Sequence, residues 1–136
     1  MNYRTIEIRT IKTEKEGSLS FFESERDIPF IMKRMYYIHG ADKGVYRGGH
    51  AHKELYQFVI CVYGKILFII DDGNKKQEIV LDSPEKGLYL EPGLWRDMIW
   101  EQKDSVLCVM ASEYYDENDY IRDYDLFKKW KGQTNE

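Results

Sequence analysis

The chain has 136 residues, 43% of them hydrophobic and 15% aromatic, which suits one domain around one core. Its net charge of −4 comes from 20 Lys and Arg interspersed among 24 Asp and Glu; this excludes the concentrated basic face of a nucleic-acid binder, while a few arginines in a cleft would still hold a small anion. No apolar run is long enough to span a membrane, and the opening Met1-Asn2-Tyr3-Arg4 lacks the charged-then-apolar pattern of a signal peptide, so a cytoplasmic protein is expected.

In chain order, "YRTIEIRTI" (Tyr3–Ile11) alternates polar and apolar residues and reads as a strand. Gly17 marks a turn before "SLSFF" (Ser18–Phe22), and Pro29 precedes another β-rich run, "FIMKRMYYI" (Phe30–Ile38). "YQFVICVYG" and "KILFIID" flank Gly64, predicted as a tight hairpin. Asp72-Gly73 is a stronger hairpin signal, joining "KILFIID" to "QEIVL". "GLYLEPGLW" and "SVLCVMASEY" supply two further strands. Cys61 and Cys108 lie inside such apolar runs, where free buried thiols are expected rather than a disulfide. Many short strands with turn signals between them predict a sandwich or barrel.

The C-terminus changes period. In "DENDYIRDYDLFKKWKG" the spacing of Tyr120, Ile121, Tyr124, Phe127 and Trp130 predicts a helix. Asp116 or Asn118 would cap its start, Lys128, Lys129 and Lys131 suit the negative end of its dipole, and Gly132 would stop it. The acidic residues here lack the D-x-D-x-D-G spacing of a calcium loop and read as a solvated helix start. The chain shows no repeat, low-complexity segment or linker, so residues 1–136 are expected to form a single domain.

The chemistry concentrates in "GVYRGGHAHKELYQFVICVYG" (Gly44–Gly64). On an extended strand, residues two apart point to the same side, so His50 and His52 share one face. Gly48 and Gly49 before them leave room for a ligand or for close backbone approach. A zinc or iron site wants three or four good ligands. Here two histidines stand with the amide of Gln57 and the nearby cation Arg96, so no metal cofactor is expected. Imidazoles titrate near neutral pH, and proton transfer is the better reading of the pair.

The spacing from Gly44 through His50, His52 and Gln57 to Gly64 resembles the first cupin motif, with Gln57 in place of the acidic ligand of metal cupins. The second motif is represented by "EPGLWRDM" (Glu91–Met98), with Arg96-Asp97 where a histidine would stand. Beyond these motifs, "GSL", "IPFIMKRMYYI", "RGGHAHKELYQ", "DDGN", "LDSPEKGLYLEPGLW" and "ASEYYDENDYIRDYDLFKKW" resemble, in order and spacing, the sugar-nucleotide 3,4-ketoisomerases, a cupin family. The resemblance implies an all-β cupin, a small barrel or jelly roll with a short C-terminal helix. It also implies a homodimer that exchanges N-terminal strands. The implied substrate is dTDP-4-keto-6-deoxy-glucose, and the implied setting is the making of an unusual deoxy- or amino sugar for a surface glycan such as an O-antigen or S-layer. Two positions depart from the family's usual pattern: Glu16 stands where arginine precedes G-S-L, and Arg96 where histidine follows the tryptophan. If both line one cavity they bear on the C4 configuration of the product, expected as gluco.

Moving a ketone from C4 to C3 requires removal of the C3 proton, acidified by the neighbouring carbonyl, and transfer of a hydroxyl proton from O3 to O4. His52 is expected as the base at C3 and His50 as the group handling O3 and O4, with the reverse order open. Tyr37 is the candidate donor to the developing oxyanion. Arg47 and Arg122 are candidates for the diphosphate, Gln57 for fixing an imidazole tautomer, and Trp95 for stacking or wall packing. A related 3,5-epimerase, a non-catalytic sugar-binding cupin and a metal-dependent dioxygenase are the competing readings.

Overall fold

The computed structural model describes residues 2–134. Twelve strands precede one helix. They are β1 (Tyr3–Glu7), β2 (Arg9–Lys12), β3 (Ser18–Phe21), β4 (Arg34–Ile38), β5 (Tyr46–His52), β6 (Gln57–Tyr63), β7 (Ile66–Asp71), β8 (Lys76–Leu81), β9 (Lys86–Leu90), β10 (Trp95–Trp100), β11 (Val106–Ala111) and β12 (Tyr120–Ile121); the helix is α1 (Tyr124–Thr134). One five-stranded sheet runs β1-β9-β6-β11-β4, and a second runs β12-β5-β10-β7-β8. Every pairing within them is antiparallel. The expected all-β barrel with a C-terminal helix is therefore present. Its main core lies between the inner faces of the two sheets, around Phe68, Leu88, Leu90, Trp100 and Leu107. A second apolar cluster, with Ile8, Ile28, Phe30, Phe58 and Tyr89, packs on the outer face of the first sheet.

The structure departs from the expected elements at five places. "GLYLEPGLW" is not one strand: β9 ends at Leu90 and β10 opens only at Trp95, across the bend at Pro92-Gly93. The run Tyr3–Ile11 is two strands: the chain breaks at Ile8, which turns into the outer cluster. β1 then stays beside β9, and among the described residues β2 pairs only with β3. Phe30–Ile38 enters its ladder only from Arg34, because Phe30 leaves to stack on Tyr89. Gly64 is not a hairpin: β6 and β7 belong to different sheets, and Gly64 is the corner between them. Its φ is +97°, and a Cβ there would meet Ser105 Oγ at 2.1 Å, so the corner needs glycine. The Asp72-Gly73 hairpin does form, pairing Asp71 with Lys76 through Ile66 with Leu81.

The last correction is the helix, which starts at Tyr124 rather than near Asp116. Asp123 caps it, its carboxylate accepting from the Leu126 N–H at 3.0 Å. Asp116 instead caps a single 3₁₀ turn, Glu117–Asp119, and Tyr120–Ile121 pairs with β5 as a strand. The helix runs through Gly132 to Thr134. Phe127, fully buried, fixes it on a patch formed by Ala51, Trp95 and Ile121. Among the described residues no helix is long and apolar enough to cross a membrane. Cys61 and Cys108 are free thiols, the first buried in the core and the second half-buried.

Candidate active site

The site begins with the geometry of β5. Opposite β10, Arg96 pairs with His50 but Asp97 already pairs with Gly48, so the ladder slips by one residue and Gly49 is extra. Gly48 and Gly49 take φ of +99° and +70°, and a Cβ on Gly48 would lie 2.8 Å from the Arg96 carbonyl oxygen. The slip changes the phase of the strand. Arg47 and His50, three residues apart, line the same cavity, although strict alternation would put them on opposite faces.

His50 and His52 do share a face. Their rings meet edge to face with centroids 5.0 Å apart, and Tyr120 on β12 packs against both, at 5.2 and 4.4 Å. His52 is fully buried. Its Nδ1 lies 3.0 Å from Asp119 Oδ2, while its Nε2 has no hydrogen-bond partner among the described residues. Asp119 Oδ1 accepts from the backbone N–H of Glu54 at 2.7 Å.

Arg96 is the unusual group behind the pair. It is 2% exposed, and its guanidinium donates to Gln57 Oε1 and, at 3.0 Å, to the Leu94 carbonyl. Its Nε has no partner, and no carboxylate bridges it among the described ion pairs. Burial pulls its pKa down to about 10, so it stays a cation at neutral pH. Its charge adds to burial in holding the imidazoles neutral: His50 is pushed down to about 3, and His52 lower still.

Two cavities of about 380 Å³ each adjoin at Tyr120 and Arg34. They differ in charge. The one reached by His52 carries Glu54, Glu113, Asp116 and Asp119. The one reached by His50 carries Arg47, Arg122 and Tyr36. Arg122 is stacked on the Tyr120 ring at 4.2 Å and bridges Glu117 at 2.7 Å.

The structure thus brings together His50, His52, Gln57, Arg96, Arg47 and Arg122. It does not bring Tyr37, which is 61% exposed on the outer face beside His39. Tyr36, one residue earlier on β4, faces the cavity instead, with its phenol raised by burial. Trp95 also points away from Arg96, its neighbour on β10, and is packed under the helix against Tyr124 and Phe127. Gln57 holds Arg96 rather than an imidazole. Glu16 is exposed in the turn between β2 and β3 and lines neither cavity. Sequence reasoning missed Tyr36, Arg34, Asp119 and Tyr120. The last two lay in a segment whose short strand was masked by the helical period that follows it.

A small β-barrel of two antiparallel sheets with a histidine pair on its wall has the architecture of a cupin. The family model described as "FdtA: WxcM-like, C-terminal" matches residues 1–132. The chain belongs to that family, whose relatives are sugar-nucleotide 3,4-ketoisomerases. It is 48% identical over 122 residues to the TDP-4-oxo-6-deoxy-alpha-D-glucose-3,4-oxoisomerase of Aneurinibacillus thermoaerophilus, spanning 90% of this chain and 88% of that one. Among solved structures it is similar to QdtA, a sugar 3,4-ketoisomerase from Thermoanaerobacterium thermosaccharolyticum in complex with TDP. That match has a TM-score of 0.93 and 41% identity, covering 98% of this chain and 96% of that one. A histidine-to-asparagine variant of QdtA, in complex with TDP-4-keto-6-deoxyglucose, matches with a TM-score of 0.93 and 40% identity, over 97% and 95% of the two chains.

Proposed function

We propose that this isomerase converts dTDP-4-keto-6-deoxy-glucose into a dTDP-3-keto-6-deoxy-hexose by metal-free acid/base proton transfer at two imidazoles. The observation that carries the reading is the edge-to-face histidine pair, 5.0 Å apart, at a cavity bearing Arg47 and Arg122. A diphosphate favours that cavity over its acidic neighbour, and arginine suits it through paired hydrogen bonds. The sugar then lies against His50. This supports His50 as the carbon base and His52 as the hydroxyl relay, the reverse of the order first expected from the sequence.

His50 takes the C3 proton, and negative charge passes to O4. Arg96, a buried cation beside the pair, and the Tyr36 hydroxyl favour that charge. O4 gains a proton and O3 gives one up through His52. C4 gains a proton and His50 gives up the one it took, so the 3-ketone forms with no net change of protons and no oxidant. We assign the product the gluco configuration on the Arg96 departure, the one of the two that stands at the site, since Glu16 does not reach it. That outcome requires C4 to be protonated on the face opposite the one that lost the C3 proton; galacto requires the same face.

The protein is proposed to act in the cytoplasm as a homodimer with exchanged N-terminal segments, feeding deoxy- or amino-sugar assembly. Supporting exchange, the β2–β3 hairpin pairs with no other strand among the described residues, and Ile11 and Leu19 on it are exposed. An open apolar groove of Phe22, Met32, Met35, Val62 and Met110 lies on the outer face of the first sheet.

The test is incubation with dTDP-4-keto-6-deoxy-glucose followed by NMR. A C3 carbonyl should appear, with a large H4–H5 coupling if the product is gluco. His50→Asn should lower turnover by about 10²–10⁴-fold while nucleotide binding persists. A carbonyl that stays at C4 while C5–H exchanges with solvent would mean an epimerase. An unchanged sugar after long incubation would leave only a binding protein.

A further inference from the structure

Gln57 is committed to Arg96, so something else must set the tautomer of His52. We infer that Asp119 is the positioning residue that fixes the proton of His52 on Nδ1 and leaves Nε2 as the bare acceptor that receives the O3 proton. The inference deepens the reading above and rests on it for the identity of the substrate.

Three observations support it. His52 is wholly buried, so water cannot choose its tautomer. Asp119 Oδ2 lies 3.0 Å from Nδ1, and a carboxylate can only accept there. Nε2 is buried and has no partner among the described residues, which is costly for a nitrogen that carries a hydrogen and useful for one that must accept a hydrogen. Asp119 is itself fixed, because Oδ1 accepts the Glu54 N–H at 2.7 Å and its backbone carbonyl accepts the Lys53 N–H at 3.0 Å. The loop that leaves β5 just after His52 is thus held by the same residue that holds the ring.

The relay balances. The O3–H bond breaks as Nε2–H forms, giving an imidazolium whose Nδ1–H faces the carboxylate. The Nε2–H bond then breaks as O4–H forms, and the ring returns to its starting tautomer. In the other tautomer Nε2 already carries hydrogen and cannot take the O3 proton.

Asp119→Asn tests this with little change of shape. Only an oxygen can accept the Glu54 N–H, so the asparagine oxygen stays there and its NH₂ turns to Nδ1. That drives the proton of His52 to Nε2. Long-range ¹H–¹⁵N correlation of histidine-labelled protein should show Nδ1–H in the wild type and Nε2–H in the variant. Turnover should fall about 10²–10⁴-fold with KM unchanged. Exchange of C3–H with D₂O, which needs only His50, should persist. A wild-type His52 protonated on Nε2 overturns the inference, as does a variant with wild-type kcat. If Asp119→Asn fails to fold, the wild-type tautomer decides alone. Because that spectrum is read without substrate, it also separates this inference from the assignment of activity, which fails instead if wild-type protein leaves the carbonyl at C4.

Discussion

Two pairs of sequence neighbours divide the work of this site from the work of packing. Tyr36 faces the cavity and Tyr37 faces outward; Arg96 faces the imidazoles and Trp95 supports the helix. In each pair the residue types were legible in the sequence as candidates. The phase was not, because it depends on where the strand enters its ladder. β4 enters at Arg34, which puts Arg34, Tyr36 and Ile38 inward together. Tyr36→Phe should therefore lower turnover by roughly 10²-fold, the usual loss of one oxyanion donor, while Tyr37→Phe leaves the rate unchanged. Steady-state kinetics on the two variants checks this, and equal effects would remove Tyr36 from the mechanism. Arg96 follows the same logic. A buried cation without a carboxylate is expensive, and its place behind two neutral imidazoles suits a site that must host negative charge.

The elements matter through their irregularities. The Gly48-Gly49 bulge shifts the phase of β5, bringing Arg47 into the cavity of His50 and keeping His50 across from Arg96. Gly48→Ala should destabilise the fold by about 1–3 kcal/mol, the cost of a strained φ, because its Cβ would also press on the Arg96 carbonyl at 2.8 Å. Denaturant midpoints measure the loss, and a variant as stable as wild type would show that the bulge relaxes freely. The paired glycines were readable as close backbone approach, and the histidine pair as one face. The bulge itself was not, since it is a relation to β10. The same holds for Gly64, where the contact with Ser105 comes from far along the chain. The error at the C-terminus was different in kind. Tyr120 and Ile121 continue the apolar period of the helix in sequence, but the carboxylate of Asp123 caps the helix after them, and they pair with β5 instead.

For the molecule as a whole, the half-buried His50 and the buried His52 couple folding to pH. His50 titrates at about 3 when folded, against an ordinary value of 6.5, because burial and the Arg96 charge disfavour its protonated form. Between those values the unfolded chain binds the proton and the folded chain does not. Stability should therefore rise with pH through this window and fall as pH drops from 6.5 toward 3. His52 is displaced in the same direction and further, so it adds to the slope and extends it to lower pH. Above 6.5 neither ring contributes a slope. Each can supply up to ~1.4 kcal/mol per pH unit inside the window. Asp119 opposes, since burial raises its carboxyl and favours the protonated fold. Urea midpoints measured from neutral pH down to about pH 5 should fall for the wild type and fall less steeply for His50→Gln, which removes one of the two rings. Parallel slopes would mean that the folded ring takes its proton as readily as the unfolded one, and that the cavity around it is open to water rather than closed by Tyr120 and the strands behind it.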